Sequence, residues 1–293
     1  MTLDIKPLAV RIGALATGID LREEQDDATI ARIREAVTTR GIVLFRNQDI
    51  TPEQHIAFSK RFGPLDDFPL LERGLHPEYR DIWVVTNVPR GDGSASPTKN
   101  TGRIWHTDQS YMKAPAFGSL LHCKEIPPVG GDTMFANAQA AYDDLSDGMK
   151  AMIDGLRAVH DVNSAKIYTA AANPDVAVKP RTAEEKAKTP PVVQPVALRH
   201  PETGRRAIYL VEDITSHIEG MTAEESRDLL TYLARRIQRP EYTYRHKWEV
   251  GDLIFWDNRV VQHLAMPDYD SSDPGNRRVM WRTTVAGLGP FIA

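Results

Sequence analysis

The sequence predicts a mainly β chain with flanking helices, built as an antiparallel barrel or sandwich. Five short apolar runs carry this: Ser119–Cys123, Thr133–Ala136, Arg206–Val211, Asp252–Trp256 and Arg278–Val285, each bounded by Gly, Pro or Asp turns. Two amphipathic stretches, 140–160 and 222–238, interrupt the strands and suit helices laid outside the sheets.

The earlier elements follow from local chemistry. Between Asp26 and Arg40, Ile30, Ile33 and Val37 recur at helical spacing, and Gly41 suits the residue after a helix end. Gly41–Arg46 is then a short buried strand. Thr51-Pro-Glu-Gln54 combines an N-cap, Pro at the first helical position and a Gln that can return a hydrogen bond, so a helix should run from there to about Phe62 and stop at Gly63-Pro64. A second such opening, Thr222-Ala-Glu-Glu225, precedes Leu229, Leu230, Leu233 and Ile237. Residues 163–195 are rich in Ala, Lys, Thr and Pro without a sustained period, which suits a lid over a site or a partly disordered segment. That stretch lies between strands of one sheet system and no internal repeat is visible, so all 293 residues form one expected domain.

Composition excludes several classes of partner. Lys plus Arg is 36, Asp plus Glu is 40, and the charges are dispersed, so nothing advertises nucleic acid or a membrane surface. The single cysteine, Cys123, has no partner for an internal disulfide. The opening residues carry neither signal nor transit character, and no apolar run approaches a membrane span, so a cytoplasmic protein is expected.

Nine histidines and 40 acids supply about one His-x-Asp/Glu match by chance. There are four: His76-Pro-Glu78, His106-Thr-Asp108, His200-Pro-Glu202 and His217-Ile-Glu219. The two with proline suit surface loops, and the one before Gly220 suits a connection. His106 and Asp108 differ, because residues two apart in an extended segment project to one face and can share one ion. His263, at the end of the strand-like run Gly251–His263, is the candidate third ligand. Two histidines and one carboxylate would leave positions open, as in non-haem Fe(II) oxygenases, whereas separate structural roles for each histidine are the plainer alternative. Arg278 and Arg282, four apart in a strand, share a face; buried together they call for an anion, either the chain's own acids or a dicarboxylate cosubstrate.

With these residues in view, the chain resembles the taurine dioxygenase and aryloxyalkanoate (herbicide) dioxygenase family of Fe(II)- and 2-oxoglutarate-dependent enzymes. The matching segments run in order from Arg11–Leu21 through Ile42–Arg46, Phe62–Leu65, Trp105–Asp108, Gly130–Thr133 and Trp256–Arg259 to His263 and Arg278–Arg282. The resemblance implies a double-stranded β-helix, a cupin-like jelly roll, with His106, Asp108 and His263 as iron ligands. It places the Thr133 hydroxyl and Arg278 on the distal carboxylate of 2-oxoglutarate, and Arg282 near the metal-bound end, where it also meets an anionic substrate. It implies Fe(II), with 2-oxoglutarate and O2 as cosubstrates, and, by analogy, a homo-oligomer between dimer and tetramer.

One departure bears on substrate. Taurine-type enzymes carry a His-Pro step where this chain has Phe68-Pro69, and an apolar Phe68 cannot donate to a sulfonate. A hydrophobic carboxylate such as an aryloxyalkanoate is therefore the expected substrate, although Phe68 packing its own loop is the alternative. A sulfonate or alkyl sulfate dioxygenase is the second reading. A cupin-like zinc hydrolase, or a non-catalytic barrel, belongs to other classes. The run Asp270–Gly275 lengthens the gap between His263 and the arginines and loosens their expected register.

Overall fold

A computed structural model describes residues 2–66, 74–165 and 181–291. Its largest sheet has seven strands: β1 (Asp4–Pro7), β2 (Ala14–Thr17), β3 (Ile42–Phe45), β13 (Leu253–Asp257), β5 (Gly118–Glu125), β15 (Val279–Val285) and β4 (Trp83–Thr86), neighbours in that order. A three-stranded sheet places β6 (Thr133–Asn137) between β12 (Thr243–His246) and β14 (Val261–Ala265). A second three-stranded sheet joins β7 (Arg157–His160) to β8 (Val192–Pro195) and β11 (Thr215–Ile218), and β9 (Ala197–Arg199) pairs with β10 (Arg206–Ile208).

The central strands are apolar on both faces because both faces are covered. Val43, Phe45, Leu253, Phe255 and Leu120 pack against helices α1 (Asp27–Arg40) and α2 (Pro52–Lys60) through Ile30, Ile33, Val37 and Phe58. Their alternates, Ile42, Leu44, Ile254, Trp256 and Leu121, face the opposite core, where Phe135 of β6 meets them. Each such fully buried side chain contributes about 1.5–3 kcal/mol. Period-two alternation thus divides each strand between two cores, and the interior between the sheets becomes the place where a site can form.

The helix signals hold. Asp26 caps α1, Thr51 and Gln54 form the reciprocal box that opens α2, and Thr222 and Glu225 do the same for α6 (Ala223–Ile237). Gly41 adopts φ 80°, and a Cβ there would meet Val261 Cγ2 at 2.8 Å, so this chain reversal needs glycine twice over.

Other expectations are corrected. The stretch 140–160 is not one helix but α3 (Ala138–Asp143), α4 (Asp147–Ile153) and β7. The Ser146 hydroxyl accepts from Met149 N and starts a new helix, and beyond Gly155 the burial of Ala158 and His160 switches to period two. Arg206–Val211 is strand only over Arg206–Ile208, and its ladder with β9 ends on the bond from Tyr209 N to Val196 O at 2.8 Å. Gly251–His263 is two strands in different sheets, joined by a turn in which Val260 N returns to Asp257 O at 3.2 Å. Within 163–195, residues 183–187 form α5 (Ala183–Ala187) and 192–195 form β8, while 166–180 fall outside the described residues.

Two histidines expected at the periphery are also relocated. His200 is fully buried, with Nε2 3.0 Å from Asp257 Oδ2, and Glu202 pairs with both Arg259 at 2.8 Å and Arg34 at 2.7 Å. His217 lies within β11 rather than in a connection. Among the described residues no helix is long and apolar enough to cross a membrane.

Burial pushes three other histidines down, His55 and His160 to about 3 and His122 to about 4. A folded value below the unfolded one of 6.5 means that these groups contribute stability fully above about pH 6.5. That contribution drains away as pH falls towards 3. The unfolding midpoint should therefore be level near pH 7–8 and decline steadily below about 6.5, with a shallower decline in His160→Phe. A midpoint that stays flat between pH 7 and 4 in denaturant titrations would contradict this account.

Candidate metal centre

Residues 104–108 run beside β14 and join it through a single reciprocal pair of backbone bonds. His106 N donates to His263 O at 3.0 Å and His263 N donates to His106 O at 2.8 Å. The two imidazoles consequently lie together, with ring centroids 4.1 Å apart. His263 is held in turn by β6 through its pairing with Phe135, and the Trp256 ring lies 4.7 Å from its imidazole. Asp108 follows two residues after His106, with its Oδ1 3.8 Å from His106 Nε2 and 4.0 Å from His263 Nε2. One ligand atom from each of the three residues lies within 4.8 Å of the other two. Just beyond, Gln109 takes a left-handed φ of 59°, which turns the chain away from the cluster.

The electrostatics suit metal donors. Burial pushes both imidazoles down, His263 most strongly, so each is neutral near pH 7. His106 Nδ1 lies 2.8 Å from Ile104 O, a carbonyl that can only accept, so Nδ1 carries the proton and Nε2 presents its lone pair. Burial alone would raise the Asp108 carboxyl. The Arg282 guanidinium above all, with the Ser119 hydroxyl, outweighs it and holds that group well below the usual carboxylate range. Arg282 Nη1 sits 2.9 Å from Asp108 Oδ1, and its guanidinium lies over the Trp83 ring.

Arg278 occupies a separate position. Its Nε donates to Gly131 O at 3.0 Å and its Nη2 lies 3.4 Å from Thr133 Oγ1, which also accepts from Trp248 Nε1 at 2.9 Å. Gly130 and Gly131 both have positive φ, and Asp268 pins their turn by accepting from Gly131 N while pairing with Arg245. Arg278 borders a cleft of about 340 Å³, partly open to solvent, that is also lined by Thr86, Asn87, Lys99, Arg103 and Tyr269. A strand irregularity between Val279 and Met280 separates Arg278 from Arg282; both are nonetheless buried, whereas Arg277 points outward to Glu125. Phe68 lies outside the described residues.

The structure thus brings His106, Asp108 and His263 together with Arg282, and sets Thr133 beside Arg278. Sequence reasoning did not single out Ser119, Trp248 or Asn87, whose amide oxygen accepts from Arg278 N. A lone Ser, Trp or Asn has no spacing partner in the sequence, and only the sheet pairing reveals its contact.

Comparison with known proteins adds a family to this geometry. The model for the taurine catabolism dioxygenase TauD, TfdA family matches residues 4–284. The chain belongs to that family. It is 31% identical over 292 residues, 97% of this chain and 98% of the other, to an alpha-ketoglutarate-dependent 2,4-dichlorophenoxyacetate dioxygenase of Cupriavidus pinatubonensis. It is 32% identical over 294 residues to an alpha-ketoglutarate-dependent sulfate ester dioxygenase of Pseudomonas putida, covering 99% of this chain and 91% of that one. A crystal structure of AAD-2 in complex with Mn(II) and N-oxalylglycine superimposes with a TM-score of 0.83 at 32% identity, over the full length of both chains. Family and fold agree, and this chain is a dioxygenase.

Proposed function

We propose that this dioxygenase hydroxylates a small organic anion, with a hydrophobic carboxylate such as an aryloxyalkanoate as substrate, and that His106, Asp108 and His263 hold its Fe(II). The observation that carries this reading is the convergence of two neutral imidazoles and one ionised carboxylate, locked together by the His106–His263 backbone pair. That donor set fits the ion: nitrogen and oxygen donors, three in number, leave room for a chelating cosubstrate. The facing seven- and three-stranded sheets are read as the double-stranded β-helix of such enzymes.

When bound, Fe(II) supplies the redox chemistry, coupling O2-dependent decarboxylation of 2-oxoglutarate to succinate and carbon dioxide with oxidation of a substrate C–H bond. The chain's own residues do the rest. Arg278 and Thr133 hold the distal carboxylate of 2-oxoglutarate, with Trp248 fixing the Thr133 hydroxyl and the Gly131 carbonyl fixing the guanidinium. Arg282 places positive charge against the triad, where it neutralises Asp108 and meets the anionic end of the substrate. Trp256 and Phe135 wall His263 with apolar surface and keep water from one side of the site.

A second reading, a sulfate ester dioxygenase, is favoured by the Pseudomonas putida relative at similar identity. Oxygen-dependent succinate release, screened over aryloxyalkanoates, sulfonates and alkyl sulfates, separates the two. Stoichiometric zinc with no succinate would overturn both in favour of a hydrolase.

Two substitutions test the roles. Asp108→Ala should lose metal on dialysis while the wild type retains it, measured by metal analysis of the folded protein; wild-type occupancy would mean the triad is misassigned. Arg278→Ala should keep metal but raise the 2-oxoglutarate concentration for half-maximal succinate formation by about 10- to 100-fold, the loss of a charge-assisted bond. An unchanged requirement would assign the distal carboxylate to another residue.

A further inference from the structure

Asp108 has two carboxylate oxygens, and the structure treats them differently. Oδ1 faces both histidines and Arg282, whereas Oδ2 accepts a hydrogen bond from Ser119 Oγ at 2.7 Å. Ser119 is completely buried on β5, where it pairs directly with Trp256 of β13. Behind it stands Asn258, 1% exposed, in the turn that carries the chain from β13 to β14.

Proton positions in this group are fixed by elimination. Asn258 Oδ1 lies 3.2 Å from Asp108 N and 2.8 Å from Trp256 Nε1, and a backbone amide and an indole N–H can only donate. The atom that meets both must therefore be the amide oxygen, which leaves Nδ2 facing Ser119 Oγ at 3.0 Å. Nδ2 can only donate, so Ser119 Oγ accepts from it and directs its one proton at Asp108 Oδ2. Asn258 is itself anchored, because the Thr107 hydroxyl donates to its backbone carbonyl. The ring Asp108 N, Asn258, Ser119, Asp108 Oδ2 closes on the residue where it began, and none of its donors can be reversed.

We propose that Ser119 and Asn258 are positioning residues that lock the Asp108 carboxylate in one rotation, reserving Oδ2 for the protein and presenting Oδ1 alone to the metal. This rests on the reading of Asp108 as a metal ligand. A carboxylate free to rotate could offer both oxygens and occupy a position that the cosubstrates need, or withdraw both. With Oδ2 engaged, Asp108 counts as one donor and the triad as three. The hydroxyl also removes the need for Arg282 to satisfy both oxygens, so the arginine acts on the side that faces the site.

The test is titration of the metal-free full chain with Mn(II), followed by calorimetry in the absence of substrate and O2, with thermal unfolding recorded for each variant. Ser119→Ala should raise the Mn(II) dissociation constant by about 10- to 100-fold, the usual consequence of removing an outer-shell partner, while Ser119→Thr, which keeps the hydroxyl, restores it. Asn258→Asp should also weaken binding, because a carboxylate at that position takes the Ser119 proton instead of supplying one. A purely structural role would lower the unfolding midpoint of Ser119→Ala and leave the dissociation constant within about twofold of wild type, and that result would overturn the proposal. If Ser119→Ala fails to fold, Asn258→Asp decides the question on the same criterion. Failure of the wild type to bind Mn(II) any better than Asp108→Ala would instead refute the triad itself, on which the lock depends.

Discussion

Two backbone hydrogen bonds, exchanged between His106 and His263, are the constraint on which the rest of the site depends. They tie a segment outside the named strands to the edge of the small sheet. A residue pair bonded in both directions has no freedom to slide, because a one-residue slip would turn one imidazole to the opposite face. Asp108 inherits its place from this pairing, being two residues along the same segment, where a turn begins. The neighbouring bond from Ala265 N to Gly102 O, at 2.8 Å, continues the attachment past the histidines.

Around that anchor the interior accommodates charge at a density that net composition conceals. Asp257 is fully buried and held to about 2: burial opposes ionisation, but the paired Arg259 guanidinium and His200 outweigh it. Arg259 passes the charge on to Glu202, and Glu202 to Arg34 at the surface of α1. A buried ion pair adds little net stability, yet breaking one leaves a costly orphan charge, so such a chain of pairs enforces one arrangement of the turn at 257–260. That turn carries Asn258, and through it the structural ion pairs adjoin the candidate metal centre. Cys123, by contrast, has a thiol pushed up to about 12 by burial and takes no part in this chemistry.

Much of this was legible in the sequence, for identifiable reasons. Helix starts were visible because caps are local, as at Thr51 and Thr222, and the central strands were visible because apolar residues had to cover both faces. The pairing of His106 with Asp108 could be read from two-residue spacing, and His263, Arg278 and Arg282 from their places in strand-like runs, whereas Thr133 came only with the family resemblance. What could not be read is what depends on long-range pairing. His200 sits in turn-like text, yet its imidazole reaches Asp257 in the core; no local pattern distinguishes it from the half-buried His76. The run Gly251–His263 reads as one strand-like stretch, and nothing local shows that the polar Asp257–Arg259 in its middle marks a change of sheet. Short edge strands such as β1 and β4 lack the alternation that would announce them. Ser119 drew no notice because a hydroxyl among strand residues has no meaning until its neighbour across the ladder is known.

The turn between β13 and β14 has one more consequence. Four consecutive residues, Asp257 to Val260, lead the backbone out of the large sheet and into the small one, so the relative placement of the two sheets and the aim of the Asp108 carboxylate are set by the same corner. A substitution that moved this corner would therefore disturb the packing of the sheets and the candidate site together.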